Sequence, residues 1–234
     1  MTTSAVSAAA VPAPSAAPTD ILLIRHGETA WNAERRLQGH LDIPLNAQGE
    51  RQAGLLAAAL AAEGTRIDLL VSSDLARARQ TAQAVATRLG LPLAIEPALR
   101  ERGYGGFEGL LYSEIEARFP HEFAAWQARD IDGRLPEGKN SGETFRGFFA
   151  RASGAILALG AGHPGRTLAL VAHGGVLECA YRLACGLPLE TPRNFKVYNA
   201  SINRFRYHPA DHRLELLSWG EVEHLRPEVL DEWP

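Results

Sequence analysis

Two short apolar runs, each closed by a histidine and a glycine, constrain this chain more than any other feature. Residues 21–24 (Ile-Leu-Leu-Ile) lead into Arg25, His26 and Gly27, and residues 167–172 lead into His173, Gly174 and Gly175. Each run is too short for a helix and does not alternate polar with apolar, the pattern of a strand buried on both faces of a parallel sheet. Parallel neighbours need crossover connections, usually helical, and helical patterns fill the chain between the runs. The expected fold is α/β, a three-layer α/β/α sandwich around a mostly parallel central sheet. Ligands of such sheets bind beyond the carboxyl ends of the strands, so both imidazoles emerge where a site belongs.

The connecting elements follow from periodicity. A helix is expected over 48–62, a strand over 67–71, and a second helix carrying the stripe Leu75, Ala78, Ala82, Val85 and Leu89 behind the capping types Ser72, Ser73 and Asp74. A short strand is expected at 93–95, and Ser113 with Glu116 has capping-box spacing ahead of a helix stopping near Pro120. Residues 119–141 are the least regular, so 110–140 reads as a loop-rich, lid-like segment. Ser141 then caps a helix striped by Phe145, Phe149, Ala152, Ile156 and Leu159, a further helix runs to Cys185, and two strands lie near 196–207 and 213–219. This describes a single domain over 20–219, with an Ala/Pro-rich disordered tail at 1–19 and an acidic, Pro-containing tail at 220–234.

Composition removes several function classes. With 24 Lys and Arg against 27 acidic residues, the formal charge of −3 gives no general attraction to nucleic acid or anionic membrane. No apolar stretch has membrane-spanning length. A secretory signal does not fit the first residues, because no Lys or Arg precedes Arg25 and Pro12, Pro14 and Pro18 interrupt the apolar stretch. Cys179 and Cys185, six apart in one expected helix, do not face each other, and free thiols fit a cytoplasmic location.

The chemistry is expected at the strand ends, where glycine beside each imidazole lets backbone pass close to a small ligand. Arg77 falls in the first turn of its helix, where the dipole opposes a cation unless an anion is nearby. Arg25, Arg77 and that helix terminus together suit a phosphate dianion. Taken singly, His173 reads as a structural strand-end histidine and Arg77 as an ordinary solvated helix residue; their combination with His26 carries the expectation. A metal site is disfavoured, since neither histidine has a ligand partner at zinc-site spacing.

Several blocks in order then resemble the histidine phosphatase superfamily, the phosphoglycerate mutase-like family. They are Arg25-His26-Gly27-Glu28-Thr29 with Trp31-Asn32, Gln38-Gly39, Ser72-Ser73-Asp74-Leu75 with Arg77, Glu101 ahead of Tyr104-Gly105-Gly106-Phe107-Glu108-Gly109, and Ala172-His173-Gly174, spanning 20 to about 206. The resemblance implies that His26 is the nucleophile, forming phosphohistidine, and that Glu101 protonates the leaving oxygen and then activates water. It implies a phosphate pocket of Arg25, Arg77 and His173, with Asn32, Gln38, Gly39, Tyr104 and Gly174 around it. Glu101 must be protonated for the first step, which predicts a raised pKa through burial or a neighbouring anion.

The family holds both phosphatases and 2,3-bisphosphoglycerate-primed mutases. Where the mutases usually carry a Lys, two adjacent Arg and an Asn, this chain has Tyr112, Gln127 with Ala128, and Gly175. Losing those donors favours hydrolysis of a small-molecule phosphomonoester without a cofactor, 2,3-bisphosphoglycerate being needed only for the mutase alternative. Arg102, Arg129 or Lys139 could restore a carboxylate site from the lid. A phosphate-binding regulator without catalysis is a further alternative. A phosphoprotein substrate and the oligomeric state are not legible.

Overall fold

The computed structural model describes residues 17–226. Six strands, β1 Thr19–Arg25, β2 Leu69–Ser72, β3 Leu93–Ile95, β4 Thr167–Ala172, β5 Ile202–His208 and β6 Arg213–Glu221, form one sheet in the order β3-β2-β4-β1-β5-β6. β3, β2, β4 and β1 pair in parallel, while β5 runs antiparallel to both β1 and β6. The helices are α1 Ala30–Ala33, α2 Ala47–Glu63, α3 Ala76–Leu89, α4 Tyr112–Arg118, α5 Pro120–Gln127, α6 Phe145–Gly162 and α7 Gly174–Cys185.

The period-two geometry of β1 and β4 assigns their side chains to two layers. Ile21, Leu23, Leu168 and Leu170 pack with Phe148 and Ile156 of α6 and Leu177 and Ala180 of α7. Leu22, Ile24, Ala169 and Val171 pack with Leu56 and Leu60 of α2 and Ala78, Ala82 and Val85 of α3. Residues 21–24 and 168–171 are thus packed on both faces of the sheet, which is why they read as unbroken apolar runs. Each buried Leu or Ile contributes about 1.5–3 kcal/mol. A satellite cluster of Leu37, Tyr104, Phe107 and Ile115, with Phe119, Phe123 and Trp126 against it, supports α4 and α5.

Several local expectations are corrected. β2 begins at Leu69, because Asp68 first exchanges backbone and side-chain hydrogen bonds with Thr167 (Asp68 N to Thr167 O 2.8 Å, Thr167 N to Asp68 Oδ2 3.0 Å). None of Ser72, Ser73 or Asp74 caps α3: Ser73 bonds His173, Asp74 pairs with Arg100, and the Ala76 N–H goes instead to Oδ1 of Asp42 at 2.6 Å. α4 starts at Tyr112, which puts Ser113 inside the first turn, and Glu114 rather than Glu116 reaches back to the Leu111 N–H at 2.7 Å. The irregular middle contains α5, opened by Pro120 at a helix position that needs no N–H. Thr144, not Ser141, caps α6 by accepting from Gly147 N at 3.0 Å, and Phe148, not Phe149, joins Phe145 as a buried ring of that helix. The strand expected over 196–207 begins only at Ile202.

Thr19 belongs to β1, and its hydroxyl donates to Gly160 O at 2.8 Å. β6 extends to Glu221 and Leu225 is buried, so these residues are packed rather than tail-like. The remainder of both expected tails, 1–16 and 227–234, lies outside the described residues. Among the described residues both cysteines are free thiols, Cys179 buried and Cys185 exposed, and no helix is long and apolar enough to cross a membrane.

Candidate active site

β1 and β4 are adjacent and parallel, so their carboxyl ends deliver Arg25, His26 and His173 together. The two imidazole rings lie 5.2 Å apart between centroids at 60°. Nδ1 of His26 is 2.6 Å from the carbonyl of Gly27, and a carbonyl can only accept, so the proton sits on Nδ1 and Nε2 keeps its lone pair. Burial first, then the guanidiniums of Arg77 and Arg25, hold the His26 pKa well below the usual imidazole range. The ring is therefore neutral at neutral pH.

His173 is fully buried and its pKa is lowered in the same way, by burial, then Arg77, His26 and Arg25. Its Nε2 meets Ser73 Oγ at 2.8 Å, whereas its Nδ1 has no partner among the described residues. Arg77 donates from Nη2 to Gly39 O at 2.8 Å and from Nη1 to Leu41 O at 3.0 Å, while its buried Nε has no partner. Burial lowers the Arg77 pKa to about 10, so it remains charged at neutral pH but lacks a counter-ion. Arg25 is anchored through Nη1 to Val197 O at 2.6 Å.

Arg25, His26, Asn32, Gln38, Gly39, Arg77, Glu101, Tyr104 and Gly174 line one small cavity of about 60 Å³. His173 is not part of that lining, but its ring stands against His26. Asn32 Oδ1 accepts from Thr29 N at 2.9 Å, and Thr29 Oγ1 donates to Gln38 Oε1 at 3.0 Å, which fixes that wall. Gly39 has φ +53°, and a Cβ there would overlap the Glu108 carboxylate. Glu101 is held by two backbone amides, Arg102 N to Oε1 at 2.7 Å and Gly175 N to Oε2 at 3.0 Å. Gly175 leaves room for that carboxylate, because a Cβ would overlap Glu101 Oε1 and approach the Phe148 ring to 2.9 Å. At Gly174 a Cβ would meet Arg25 Nε only at 3.6 Å, so the second glycine of the pair carries the steric requirement.

Residues without a role in the sequence reading complete the site. Thr81 Oγ1 accepts from Gly27 N at 3.0 Å and Asn199 Nδ2 donates to His26 O at 3.0 Å, fixing the turn from both sides. Ser73, first read as a cap, is the partner of His173. No local pattern marks Thr81 or Asn199, which reach the turn across 54 and 173 residues of chain.

A second cavity of about 730 Å³ adjoins the first and shares Tyr104, Tyr112 and Gly174 with it. Trp126, Phe145, Phe148 and Phe195 supply aromatic walls, and Arg102 and Arg129 lie on it. Arg129 is already paired with Glu178 at 2.8 Å, and Lys139 is exposed and outside the lining. Among the described residues no three His, Cys, Asp or Glu side chains converge as a metal site.

Known proteins resemble the chain over most of its length. The family model of the histidine phosphatase superfamily (branch 1) matches residues 21–220. The Arabidopsis thaliana phosphoglycerate mutase-like protein 4 is 37% identical over 207 residues, covering 88% of this chain and 86% of that protein. A Yersinia enterocolitica protein named "Probable phosphoglycerate mutase GpmB" is 37% identical over 219 residues, covering 91% of this chain and 97% of that protein. The structure of a mycobacterial glucosyl-3-phosphoglycerate phosphatase is 30% identical with a TM-score of 0.75, covering 88% of this chain and all of that one (100%).

Proposed function

Since the chain belongs to the histidine phosphatase superfamily (branch 1), as a histidine phosphatase or phosphoglycerate mutase-like phosphohydrolase, we propose that it hydrolyses small phosphomonoesters through a phosphohistidine on Nε2 of His26. The observation that carries this reading is a neutral, buried His26 with its lone pair on Nε2, beside a cation and an imidazole that each keep an unpaired buried nitrogen. Arg77 and Arg25, both on the 60 Å³ cavity with His26, suit the oxygens of a phosphoryl group there.

In the first step Nε2 attacks phosphorus, the bond to the ester oxygen breaks, and Glu101 gives its proton to that oxygen. In the second, Glu101 takes a proton from water as the water oxygen attacks phosphorus, and the P–N bond electrons return to Nε2. Dividing the transfer this way replaces one difficult displacement by two easier ones. Gly27 O holds the Nδ1 proton throughout, so the ring carries positive charge only while phosphorylated. Arg25 and Arg77 offset the charge on the transferring oxygens.

Quenching turnover of 4-nitrophenyl phosphate in chelator and seeking an acid-labile, base-stable phosphohistidine tests the scheme. It is expected in wild type and absent in His26→Ala. Ligand binding without turnover would point to a regulator instead.

The mutase reading has support in the names of the plant and Yersinia relatives. Against it, Tyr112 lies on the phosphate cavity where mutases usually carry Lys, and Gly175 leaves no donor where they carry Asn, a side chain whose Cβ would displace Glu101. With 3-phosphoglycerate, phosphate release is expected to exceed formation of 2-phosphoglycerate with or without 2,3-bisphosphoglycerate; isomerisation far outpacing release would overturn the phosphatase reading.

A further inference from the structure

Residues 100–103, which carry the proposed acid Glu101, belong to no helix or strand. Their backbone is held instead by side chains from elsewhere. Arg151 of α6 donates from Nη1 to Ala98 O at 2.9 Å and Arg100 O at 3.0 Å, and from Nη2 to Glu101 O at 3.0 Å. Its Nε and Nη2 also grip the Glu143 carboxylate, at 2.8 and 2.6 Å, so every N–H group of the guanidinium has an acceptor. Glu143 carries the hold past the acid, because its Oε2 accepts from Gly103 N at 2.8 Å. One ion pair thus fastens the loop on both sides of Glu101.

Glu101 O and Arg102 N are the two ends of one peptide unit, which is planar and rigid. Its oxygen end is held by Arg151 and by His40, whose Nε2 donates at 2.7 Å. Its nitrogen end donates to Oε1 of Glu101 itself at 2.7 Å. Fixing the carbonyl therefore aims the amide, and the amide sets one oxygen of the acid, while Gly175 N sets the other at 3.0 Å. Rotation of that plane would withdraw the Arg102 N–H and release the carboxylate from its place on the smaller cavity.

We propose that Arg151, with His40 beside it, positions the acid: through the 101–102 peptide they hold the Glu101 carboxylate where the ester oxygen departs. This rests on the reading of Glu101 as the acid and adds residues that act through it. Neither Arg151 nor His40 lines either cavity, so their effect on turnover passes through Glu101. Charge alone does not suffice at 151. Lysine would keep a cation for Glu143, but donors on a single nitrogen cannot span one carboxylate and three carbonyls.

The test measures kcat/KM, which reports the step in which the alcohol leaves, for ethyl phosphate and 4-nitrophenyl phosphate with the full chain. Arg151→Lys is expected to lower it about 10- to 100-fold on ethyl phosphate, as a small displacement of a catalytic group does, and less than about threefold on 4-nitrophenyl phosphate, whose leaving group needs no proton. A purely structural role would lower both alike through the folded fraction; an unchanged ratio between the esters therefore overturns the proposal. In a Glu101→Gln background the selective loss should vanish, the double variant lying within about threefold of Glu101→Gln on both esters, and additive losses overturn the proposal as well. Should Arg151→Lys fail to fold, His40→Ala loosens the same carbonyl and must show the same selective loss in smaller degree, an unchanged ratio again overturning it. Equal losses on both esters in Glu101→Gln would sink the acid reading, and no turnover by folded wild type the phosphatase reading. In either event the amide protons of Arg102 and Gly175 decide: they should move upfield in Arg151→Lys as the carboxylate lets go, and unchanged shifts overturn the proposal.

Discussion

The two adjoining cavities are built by different means. The smaller cavity is about 60 Å³, takes Arg25 and His26 from the end of β1 at the centre of the sheet, and holds its arginines by bonds to backbone. The larger cavity is about 730 Å³, walled by rings, and takes Tyr112 and Trp126 from α4 and α5, which rest on the satellite cluster. Under the proposed function the difference implies a division of labour: a site at the centre of the sheet would treat every phosphoryl group alike, and a chamber on peripheral helices would distinguish what the phosphoryl group is attached to. Changes in the first should scale all substrates together, whereas changes in the second should alter ratios between substrates.

The largest effect is expected from His26→Ala, which should lower kcat/KM by at least about 10⁴ for every ester tested, as loss of a nucleophile does. A loss confined to some esters would break the comparison at its strongest point. Glu101→Gln comes next and sharpens it, because Glu101 lines the smaller cavity and is the proposed acid. Alkyl phosphates should slow by about 10²–10³-fold and 4-nitrophenyl phosphate far less, since only poor leaving groups need the proton. Equal losses on both would remove Glu101 as the acid.

In the chamber, Trp126→Ala should lower kcat/KM for 2-phenylethyl phosphate about tenfold relative to ethyl phosphate, consistent with the worth of one buried aromatic contact. A uniform loss on both esters would place Trp126 with the chemistry instead. The smallest effect concerns stability. His26 and His173 have folded pKa values below that of the unfolded chain, so the unfolded state takes up protons first as pH falls below about 6.5. Stability is fully present above that pH and declines below it, by at most ~1.4 kcal/mol per pH unit for each histidine. Urea unfolding of wild type and of His173→Asn at pH 7.5 and 5.5 measures this, the variant being expected to show the shallower decline.

The same contrast explains how much was legible in the sequence. β4 appears over Thr167–Ala172 as expected and the ends of both central strands hold the expected histidines, because burial on two faces writes itself into consecutive residues. Cap positions were not legible: Ser73 and Asp74 are drawn away by His173 and Arg100, and Asp42 arrives from a different loop to serve α3. In α6 the expected Phe145, Ala152 and Ile156 are buried, and Phe148 takes the place expected of Phe149, because two adjacent phenylalanines leave the pattern no means to choose between them. Arg129 was visible as a cation of the lid, but its pairing with Glu178 joins positions 49 residues apart and no local pattern shows it.

The adjacency of β1 and β4 also governs when activity can arise. Residues paired from Asp20↔Thr167 to Arg25↔Ala172 are separated by most of the polypeptide, and Asn199 Nδ2 bonds to His26 O from still further along. During synthesis on the ribosome, a nascent chain therefore carries His26, the proposed nucleophile, long before the second imidazole exists to stand beside it. Severing the backbone between the two halves would yield fragments that are each inert, with turnover regained only on reassociation.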